Sequence, residues 1–214
     1  MPAKKLTPEE ELERVQKMYE IEHTKYLEGK KFVAGVDEAG RGPLAGPVYA
    51  AAVILPPDLV IPGLNDSKKL SEKRREELFD VITGNAIAYS IASVDEKRID
   101  EINILNATFE AMNKAVNSLS ISPDFCLIDG NRIKNMTIPH ETIVKGDAKS
   151  ASIAAASILA KVSRDRFIIE MSKKYPQYGF ENHKGYGTAA HNEAILKYGP
   201  CEIHRRTFLK KLLG

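Results

Sequence analysis

Four acidic residues stand at or just beyond the ends of apolar segments, where their type and position could support metal chemistry. Asp37 and Glu38 end one apolar segment, and Asp129 ends another. Asp147 lies in a Gly-Asp turn two residues past a further short apolar segment. If these segments are strands of an α/β sheet, the ends of parallel strands converge on one edge, and acids placed there can meet. The sequence therefore predicts a cluster of carboxylates.

Such a cluster favours the binding of hard cations. Carboxylates brought together repel one another, and burial raises their pKa values, so a partner of opposite charge is needed. Magnesium and manganese prefer oxygen ligands. Two such ions about 3.5–4 Å apart activate a water and stabilise the leaving oxygen in phosphodiester hydrolysis. Any one of these acids alone is more simply explained as a helix cap or turn residue. The joint pattern favours metal chemistry.

The elements that must position these acids form an α/β pattern. Apolar segments predict strands over residues 32–37, 48–55, 86–94, 125–129 and 141–145. Capping residues and apolar periodicity predict helices over residues 7–29, 71–83, 95–119, 148–174 and 189–198.

The connections between these elements predict a mixed sheet. The first three strands are linked without long helices, which indicates an antiparallel meander. The fourth strand follows a long helix, which indicates a crossover and a parallel neighbour. We therefore expect an α/β domain with a mixed five-stranded sheet and flanking helices over residues 31–214, including a C-terminal helical region. A helical appendage over residues 1–30 precedes it.

Composition excludes several classes of protein. The chain has 214 residues, of which 43% are hydrophobic and 28% charged, so disorder is excluded as a description of the whole. No apolar run approaches the roughly 20 residues that span a bilayer, and residues 1–17 contain no apolar stretch like that of a secretory signal. The two cysteines exclude a disulfide scaffold. We expect a cytoplasmic protein with no membrane association.

The charge is unevenly distributed. Residues 161–214 carry 11 Lys/Arg and 5 Asp/Glu, whereas residues 1–160 carry 20 and 24. A basic C-terminal quarter indicates a polyanionic partner about as well as it indicates an ordinary solvated surface.

Two glycine-rich nucleotide-binding motifs are not matched by this sequence. The segment Gly40–Gly46 has a misplaced third glycine and two nearby prolines, so it is not a dinucleotide-binding loop. The spacing of Gly35 and Gly40 fits a phosphate-binding loop, but Arg41 and Gly42 stand where Lys and Ser/Thr are required.

A zinc site and a nucleophilic site are also disfavoured. His183, His191, Cys201 and His204 match no compact zinc motif. Nothing in the sequence selects a Ser–His–Asp triad, and Cys126, inside an apolar run, is predicted to be a core residue.

Five separated segments, in order, resemble ribonuclease HII, the type 2 ribonuclease H family. The resemblance covers about residues 31–208. The segments are GVDEAGRGPLAGPV at 35–48, NDSKKLSEKRRE at 65–76, IDG at 128–130, KGDAKSASIAAASILAKVSRD at 145–165 and HKGYGTAAH at 183–191.

The resemblance implies a ribonuclease H-like fold and a metal-dependent endoribonuclease. The family hydrolyses the RNA strand of RNA–DNA hybrids and nicks duplex DNA 5′ of an embedded ribonucleotide, leaving 3′-hydroxyl and 5′-phosphate ends. It uses Mg²⁺ or Mn²⁺, with two ions during catalysis. Matched motif to motif, the metal-binding and catalytic acids are Asp37, Glu38, Asp129 and Asp147. Asp37 and Asp129 would be shared between the ions or central to both.

The resemblance also implies a substrate-binding set. Gly40, Arg41 and Gly42 are similar to the family turn that reads the junction between a ribonucleotide and the next deoxynucleotide. Glycines allow close backbone approach to the ribose 2′-OH, and Arg41 suits a phosphate. Tyr186 resembles the tyrosine that stacks beside this junction.

Four lysines complete this set, and the partner follows from it. Lys68 and Lys69 are predicted to contact backbone phosphates, as are Lys149 and Lys184. The expected partners are RNA–DNA hybrids and DNA duplexes that contain ribonucleotides, bound by a monomer. The alternative is a nucleic-acid-binding module with a relic acid cluster and no catalysis.

Overall fold

The computed structural model describes residues 7–57 and 59–214 and is built around a five-stranded mixed sheet. In spatial order the strands are β3 (Ala88–Val94), β2 (Val48–Ile54), β1 (Val33–Ala39), β4 (Phe125–Asp129) and β5 (His140–Ile143). The pairs β1–β2 and β2–β3 are antiparallel, while β1–β4 and β4–β5 are parallel. This confirms the predicted meander followed by parallel strands. The fifth strand begins one residue earlier and ends two residues earlier than predicted.

Helices cover both faces of this sheet. They are α1 (Pro8–Lys17), α2 (Glu20–Leu27), α3 (Glu72–Asn85), α4 (Glu96–Asn117), α5 (Ala151–Lys174), α6 (Phe180–His183), α7 (Ala189–Tyr198) and α8 (Lys210–Leu213). The long helix α5 lies against β1 and β2 on one face, and α4 lies against β2 and β3 on the other. Among residues 7–57 and 59–214, no helix is long and apolar enough to cross a membrane.

The single helix predicted over residues 7–29 is wrong, because the structure has two helices there. The predicted start is correct: Thr7 caps α1 and Pro8 occupies its first turn. The helix ends before Met18 and Tyr19, and both of these side chains are buried in the core. The Met18 carbonyl accepts a hydrogen bond from the Ala151 N–H of α5, at 2.9 Å. The break therefore ties this segment to another helix. Of the predicted appendage, residues 1–6 lie outside the described residues.

The helix predicted over residues 95–119 is also interrupted. Asn103 has φ 66° and ψ 162°, which are not helical values. Its side-chain oxygen accepts hydrogen bonds from the N–H groups of Leu105 and Asn106, each at 3.1 Å. Asn103 therefore ends one helical segment and caps the next. The apolar periodicity continues across the kink and does not reveal it.

Small residues let α5 lie close to the sheet. Alanines near its start, including Ala154 and Ala155, are fully buried against β2. At Gly35 on β1, an added Cβ would lie 2.0 Å from the backbone carbonyl carbon of Ser152. Only glycine fits at this contact. The start of α5 therefore contacts β1 at Gly35, which precedes Asp37 by two residues in the sequence.

Candidate active site

Three of the four predicted acids meet at the ends of β1 and β4. The parallel register pairs Val36 with Ile128, so Asp37 and Asp129 follow at the same level on adjacent strands. One carboxylate oxygen from each of Asp37, Glu38 and Asp129 lies within 4.8 Å of the others. The strand-end argument thus leads to a compact cluster.

The fourth acid, Asp147, lies beside this cluster rather than in it. Asp147 sits in a short 3₁₀ helix, Gly146–Ala148, just before α5. The Gly146 N–H donates to Oδ1 of Asp129 at 2.7 Å, which fixes the turn against the cluster. Oδ2 of Asp147 is 3.6 Å from Nζ of Lys68.

Burial dominates the electrostatics of these acids. It raises the pKa of Asp37 well above its usual range, and the charges of Glu38 and Asp129 raise it further. Burial also raises the pKa of Glu38, against which the Arg41 guanidinium acts in the opposite direction. The pKa of Asp147 is raised by burial and then by the nearby charges of other acids. Each of these raised pKa values shows that ionising the acids of the cluster is unfavourable unless a positive charge compensates.

Two cavities adjoin Asp129. One of about 360 Å³ lies on the α4 side and is also lined by Glu38 and Arg41. The other, of about 390 Å³, is lined by Asp147 and Lys68 as well as Asp129. Asp129 therefore faces both spaces and shares the second one with Asp147.

Serine side chains that the sequence did not single out support the cluster. The Ser157 hydroxyl of α5 hydrogen-bonds to Asp37, which lowers the pKa of that carboxyl against the larger effect of burial. Ser157 Oγ is also 2.9 Å from Oγ of the buried Ser67. The segment that contains Lys68 and Lys69 is thus joined to Asp37 through two hydroxyls.

The oxygen-only donor set of the cluster fits Mg²⁺ or Mn²⁺. Its carboxylates are partly or fully buried, and Arg41 forms an ion pair of 3.4 Å with Glu38 at its edge. Among residues 7–57 and 59–214 this is also the single group of three or more potential ligands with such geometry. His183, His191, Cys201 and His204 are not members of this group.

Two buried arginines hold the glycine turn beside the acids. Arg205 is fully buried and donates to the backbone carbonyls of Gly40, Arg41, Pro43 and Gly46.

Arg164 lies under the same turn. Its Nη2 donates to the carbonyls of Ala45 and Lys184, at 3.2 and 3.0 Å. Gly40 has φ +96°, and a Cβ added there would lie 2.3 Å from Nε of Arg164. Neither arginine was singled out as a partner of this turn in the sequence analysis, since both come from segments far from it.

Tyr186 lies against this turn, and its side chain is 46% exposed. A Cβ built on Gly42 would be 3.5 Å from Cε1 of the tyrosine ring. The guanidinium carbon of Arg164 is 5.9 Å from the ring centroid. The ring is therefore held beside the turn with nearly half of its surface free for a ligand.

A buried histidine network holds the Tyr186 loop from behind. The Cys201 N–H donates to Nδ1 of His204, at 2.9 Å, and Nε2 of His204 is 3.1 Å from Nε2 of His191. Nδ1 of His191 is 2.9 Å from the Tyr186 carbonyl, which can only accept. Nδ1 of His191 must therefore carry a proton, and His204 must donate to His191. Both rings are neutral in this arrangement, and burial lowers the pKa of each to about 4.

The four lysines occupy different settings. Lys68 is exposed beside Asp147. Lys69 and Lys149 line a cavity of about 540 Å³ next to α1 and α2, and Nζ of Lys149 donates to the Val144 carbonyl. Nζ of Lys184 donates to the Glu181 carbonyl. Lys68 is thus close to the acids, whereas Lys184 lies near Tyr186.

Comparison with known proteins agrees with this geometry. The family model of ribonuclease HII matches residues 34–211. A ribonuclease HII from Acetivibrio thermocellus is 60% identical over 210 residues, covering 98% of this chain and 82% of the relative. One from Caldicellulosiruptor bescii is 60% identical over 196 residues, covering 92% of this chain and 95% of the relative.

Solved structures give the same answer for the fold. The crystal structure of ribonuclease H2 from Pyrococcus horikoshii has a TM-score of 0.71 and 32% identity, covering 85% of this chain and 97% of that one. The ribonuclease H-like fold is therefore confirmed. Together with the sequence match along nearly the whole chain, it shows that this protein belongs to the ribonuclease HII family of metal-dependent endoribonucleases.

Proposed function

We propose that this protein nicks duplex DNA 5′ of embedded ribonucleotides and hydrolyses the RNA strand of RNA–DNA hybrids, leaving 3′-hydroxyl and 5′-phosphate ends. The observation that carries this proposal is that the acid cluster and the glycine turn lie next to each other. The carboxylates of Asp37, Glu38 and Asp129 lie within 4.8 Å of one another, and the glycine turn with the Tyr186 ring against it follows directly on the same strand. The acids proposed to hydrolyse the phosphodiester are thus adjacent to the turn and the tyrosine proposed to recognise the sugar.

The four acids would hold two divalent cations, Mg²⁺ or Mn²⁺. When bound, such ions activate a water and stabilise the leaving 3′ oxygen of a phosphodiester. Asp37 and Asp129, on adjacent strands, are central to both positions. Glu38 completes one position, and Asp147, which shares a cavity with Asp129, completes the other.

The glycine turn would distinguish RNA from DNA. Phosphate contacts position an enzyme but do not report on the sugar, whereas a bond to the 2′-OH does. Gly40 and Gly42 have no side chain to keep a ribose away from the backbone. Arg41, whose side chain is half-exposed, would bind a flanking phosphate, and the Tyr186 ring would pack on the adjoining deoxyribose.

Lysines would extend the contact along the phosphate backbone. Lys68 is beside the acids, and Lys69 and Lys149 line the neighbouring cavity. Lys184 would contribute from the Tyr186 loop. All proposed groups come from one chain, so a monomer suffices to assemble the site. A cytoplasmic location stays a prediction from the sequence.

The test is a cleavage assay on a DNA duplex that contains one ribonucleotide, with and without Mg²⁺. We expect a single nick 5′ of the ribonucleotide, dependent on the metal, and no cleavage of the all-DNA duplex. Binding of this duplex without any cleavage, at every Mg²⁺ or Mn²⁺ concentration, would instead support a binding module that lacks catalysis.

A further inference from the structure

The N-terminus of α5 has a complete set of hydrogen-bond partners, and half of them come from residues 18–22. The first four N–H groups of a helix have no partner within it. Ser150 provides for two of them: its Oγ accepts from Ile153 and its carbonyl from Ala154. The Ala151 N–H donates to the Met18 carbonyl at 2.9 Å, and the Ser152 N–H donates to Oε1 of Glu22 at 2.9 Å.

Glu22 is an unusual residue to find in this position. It is fully buried on α2, where a carboxyl group costs free energy unless its partners compensate. Oε1 accepts from the Ser150 hydroxyl at 2.7 Å as well as from the Ser152 N–H. Among the residues that the structure describes, Oε2 has no hydrogen-bond partner. Burial raises the pKa of this carboxyl. An apolar side chain would fill this position at a lower cost in free energy. The acid therefore has a role other than packing.

The partners of Glu22 lead directly to Asp147. The Ser150 N–H donates to the Gly146 carbonyl at 2.8 Å, so Ser150 binds the Asp147 turn through its backbone and Glu22 through its side chain. The N–H of the same residue, Gly146, donates to Oδ1 of Asp129 at 2.7 Å. The turn is therefore held between Asp129 on one side and Glu22, through Ser150, on the other.

We propose that Glu22 is a positioning residue for the metal site, acting through Ser150 to fix the turn that carries Asp147 relative to Asp129. Residues 18–22 precede the segment matched by the family model, so this support for the Asp147 turn comes from outside that segment. The inference rests on the proposed metal-binding role of Asp147. A carboxyl that orients a metal ligand from outside the coordination shell typically changes metal affinity by 10- to 100-fold.

The test compares Glu22→Ala with Glu22→Gln in the full-length protein. Alanine removes the acceptor for Ser150 and Ser152, whereas glutamine keeps Oε1. Binding of Mn²⁺ is measured by titration calorimetry without substrate, and cleavage is measured as a function of Mg²⁺ concentration. We expect Glu22→Ala to weaken Mn²⁺ binding by about tenfold and to raise the half-saturating Mg²⁺ concentration to a similar degree. Glu22→Gln should restore most of both. Binding of an all-DNA duplex in the absence of metal should not change.

Two further variants separate positioning from general loosening. Val15→Ala removes a fully buried side chain of α1 in the same core and should lower the melting temperature without changing Mn²⁺ affinity. Ser150→Ala removes the hydroxyl through which Glu22 acts and should reproduce the metal defect, including when Glu22→Ala is too unstable to study. Equal Mn²⁺ affinities in Ser150→Ala and wild type, or equal losses in Glu22→Ala and Val15→Ala, would overturn the proposal.

The variant Asp147→Asn distinguishes a failure of the role proposed for Asp147 from a failure of the role proposed for Glu22. If it cleaves and binds Mn²⁺ like the wild type, the role proposed for Asp147 is wrong, and the role of Glu22 falls with it. If Asp147→Asn is defective but Glu22→Ala and Ser150→Ala bind Mn²⁺ normally, the function proposed for the acids stands. In that case Glu22 is only a helix cap.

Discussion

Nη2 of the buried Arg205 donates a hydrogen bond to the backbone carbonyl of Gly40, at 2.6 Å, across 165 residues of sequence. The same guanidinium reaches three more carbonyls of the glycine turn. Because these carbonyls point inward to the Arg205 guanidinium, the opposite side of the turn's backbone remains open. A ligand can approach the backbone there. The conformation of this turn therefore depends on the C-terminal region as much as on its own glycines.

Replacing Arg205 with methionine should disturb this turn and leave the acid cluster in place. The substitution leaves up to four backbone carbonyls without a hydrogen-bond partner, so we expect the free energy of unfolding to fall by about 2 kcal/mol or more. The KM for a duplex with one ribonucleotide should rise, while Mn²⁺ affinity should stay near that of the wild type. Urea unfolding, calorimetry and steady-state kinetics measure these three quantities. Arg206→Met, at the exposed neighbouring position, is the matched control. Equal effects of the two substitutions would contradict the role of Arg205.

Asp129→Asn should abolish most of the activity without unfolding the protein. The amide keeps an oxygen that can accept from the Gly146 N–H, but it removes the charge that faces both cavities. We expect kcat to fall by orders of magnitude. Stability of the metal-free protein should be equal or higher, because Asp129 no longer repels Asp37. Asp80→Asn on α3 is an exposed control. Normal turnover of Asp129→Asn with Mg²⁺ would refute the assignment.

The gain in stability from Mn²⁺ should increase with pH. The pKa values of Asp37, Glu38 and Asp147 are raised in the folded protein, mainly by burial. The folded state therefore holds protons that the unfolded state has already released, and metal-free stability declines as pH rises through the raised pKa values. Metal binding needs the deprotonated acids, so it opposes this decline most strongly at high pH. Melting temperatures with and without Mn²⁺, at pH of about 5 and about 8, measure the effect. A shift that is the same at both pH values would contradict it.

The sheet and the close approach of Asp37, Glu38 and Asp129 were predictable because both follow from local patterns. Apolar runs identified all five strands, and the parallel register then placed Asp37 level with Asp129. The two helix breaks were not predictable. Asn103 acts as an internal cap inside an unbroken apolar pattern, and the break after α1 depends on a hydrogen bond from Ala151 to Met18.

The supporting residues of the site were not predictable for a related reason. Arg205, Arg164 and Glu22 are charged residues that would ordinarily be assigned to the surface, yet all three are fully buried. Each is held there by backbone or hydroxyl groups of segments far away in the sequence. The single sequence shows the charge of such a residue but not the backbone and hydroxyl groups that bind it.

The histidine network should make stability fall at acidic pH. Burial lowers the pKa of His191 and of His204 to about 4, whereas an unfolded histidine titrates near 6.5. Between these values the unfolded state binds more protons, so stability is lost as pH falls from about 6.5 towards about 4, at up to about 1.4 kcal/mol per pH unit for one histidine. Urea unfolding of wild type and of His191→Gln across this range isolates the contribution. Identical pH slopes in the two proteins would show that His191 is not neutral in the fold.

Tyr186→Ala should reduce cleavage at a lone ribonucleotide more than it reduces the affinity for plain DNA. The ring lies against Gly42, where it would pack on the deoxyribose next to the ribonucleotide, and an extra hydroxyl there would crowd it. Loss of such a contact costs about 1–3 kcal/mol, which is roughly ten- to a hundredfold in kcat/KM. The measurement compares kcat/KM for a duplex with one ribonucleotide and for an all-RNA strand paired with DNA. Tyr186→Phe keeps the ring and should remain close to wild type. If Tyr186→Ala leaves both kcat/KM values unchanged, the tyrosine does not read the junction, and selection for a single ribonucleotide would depend on the glycine turn alone.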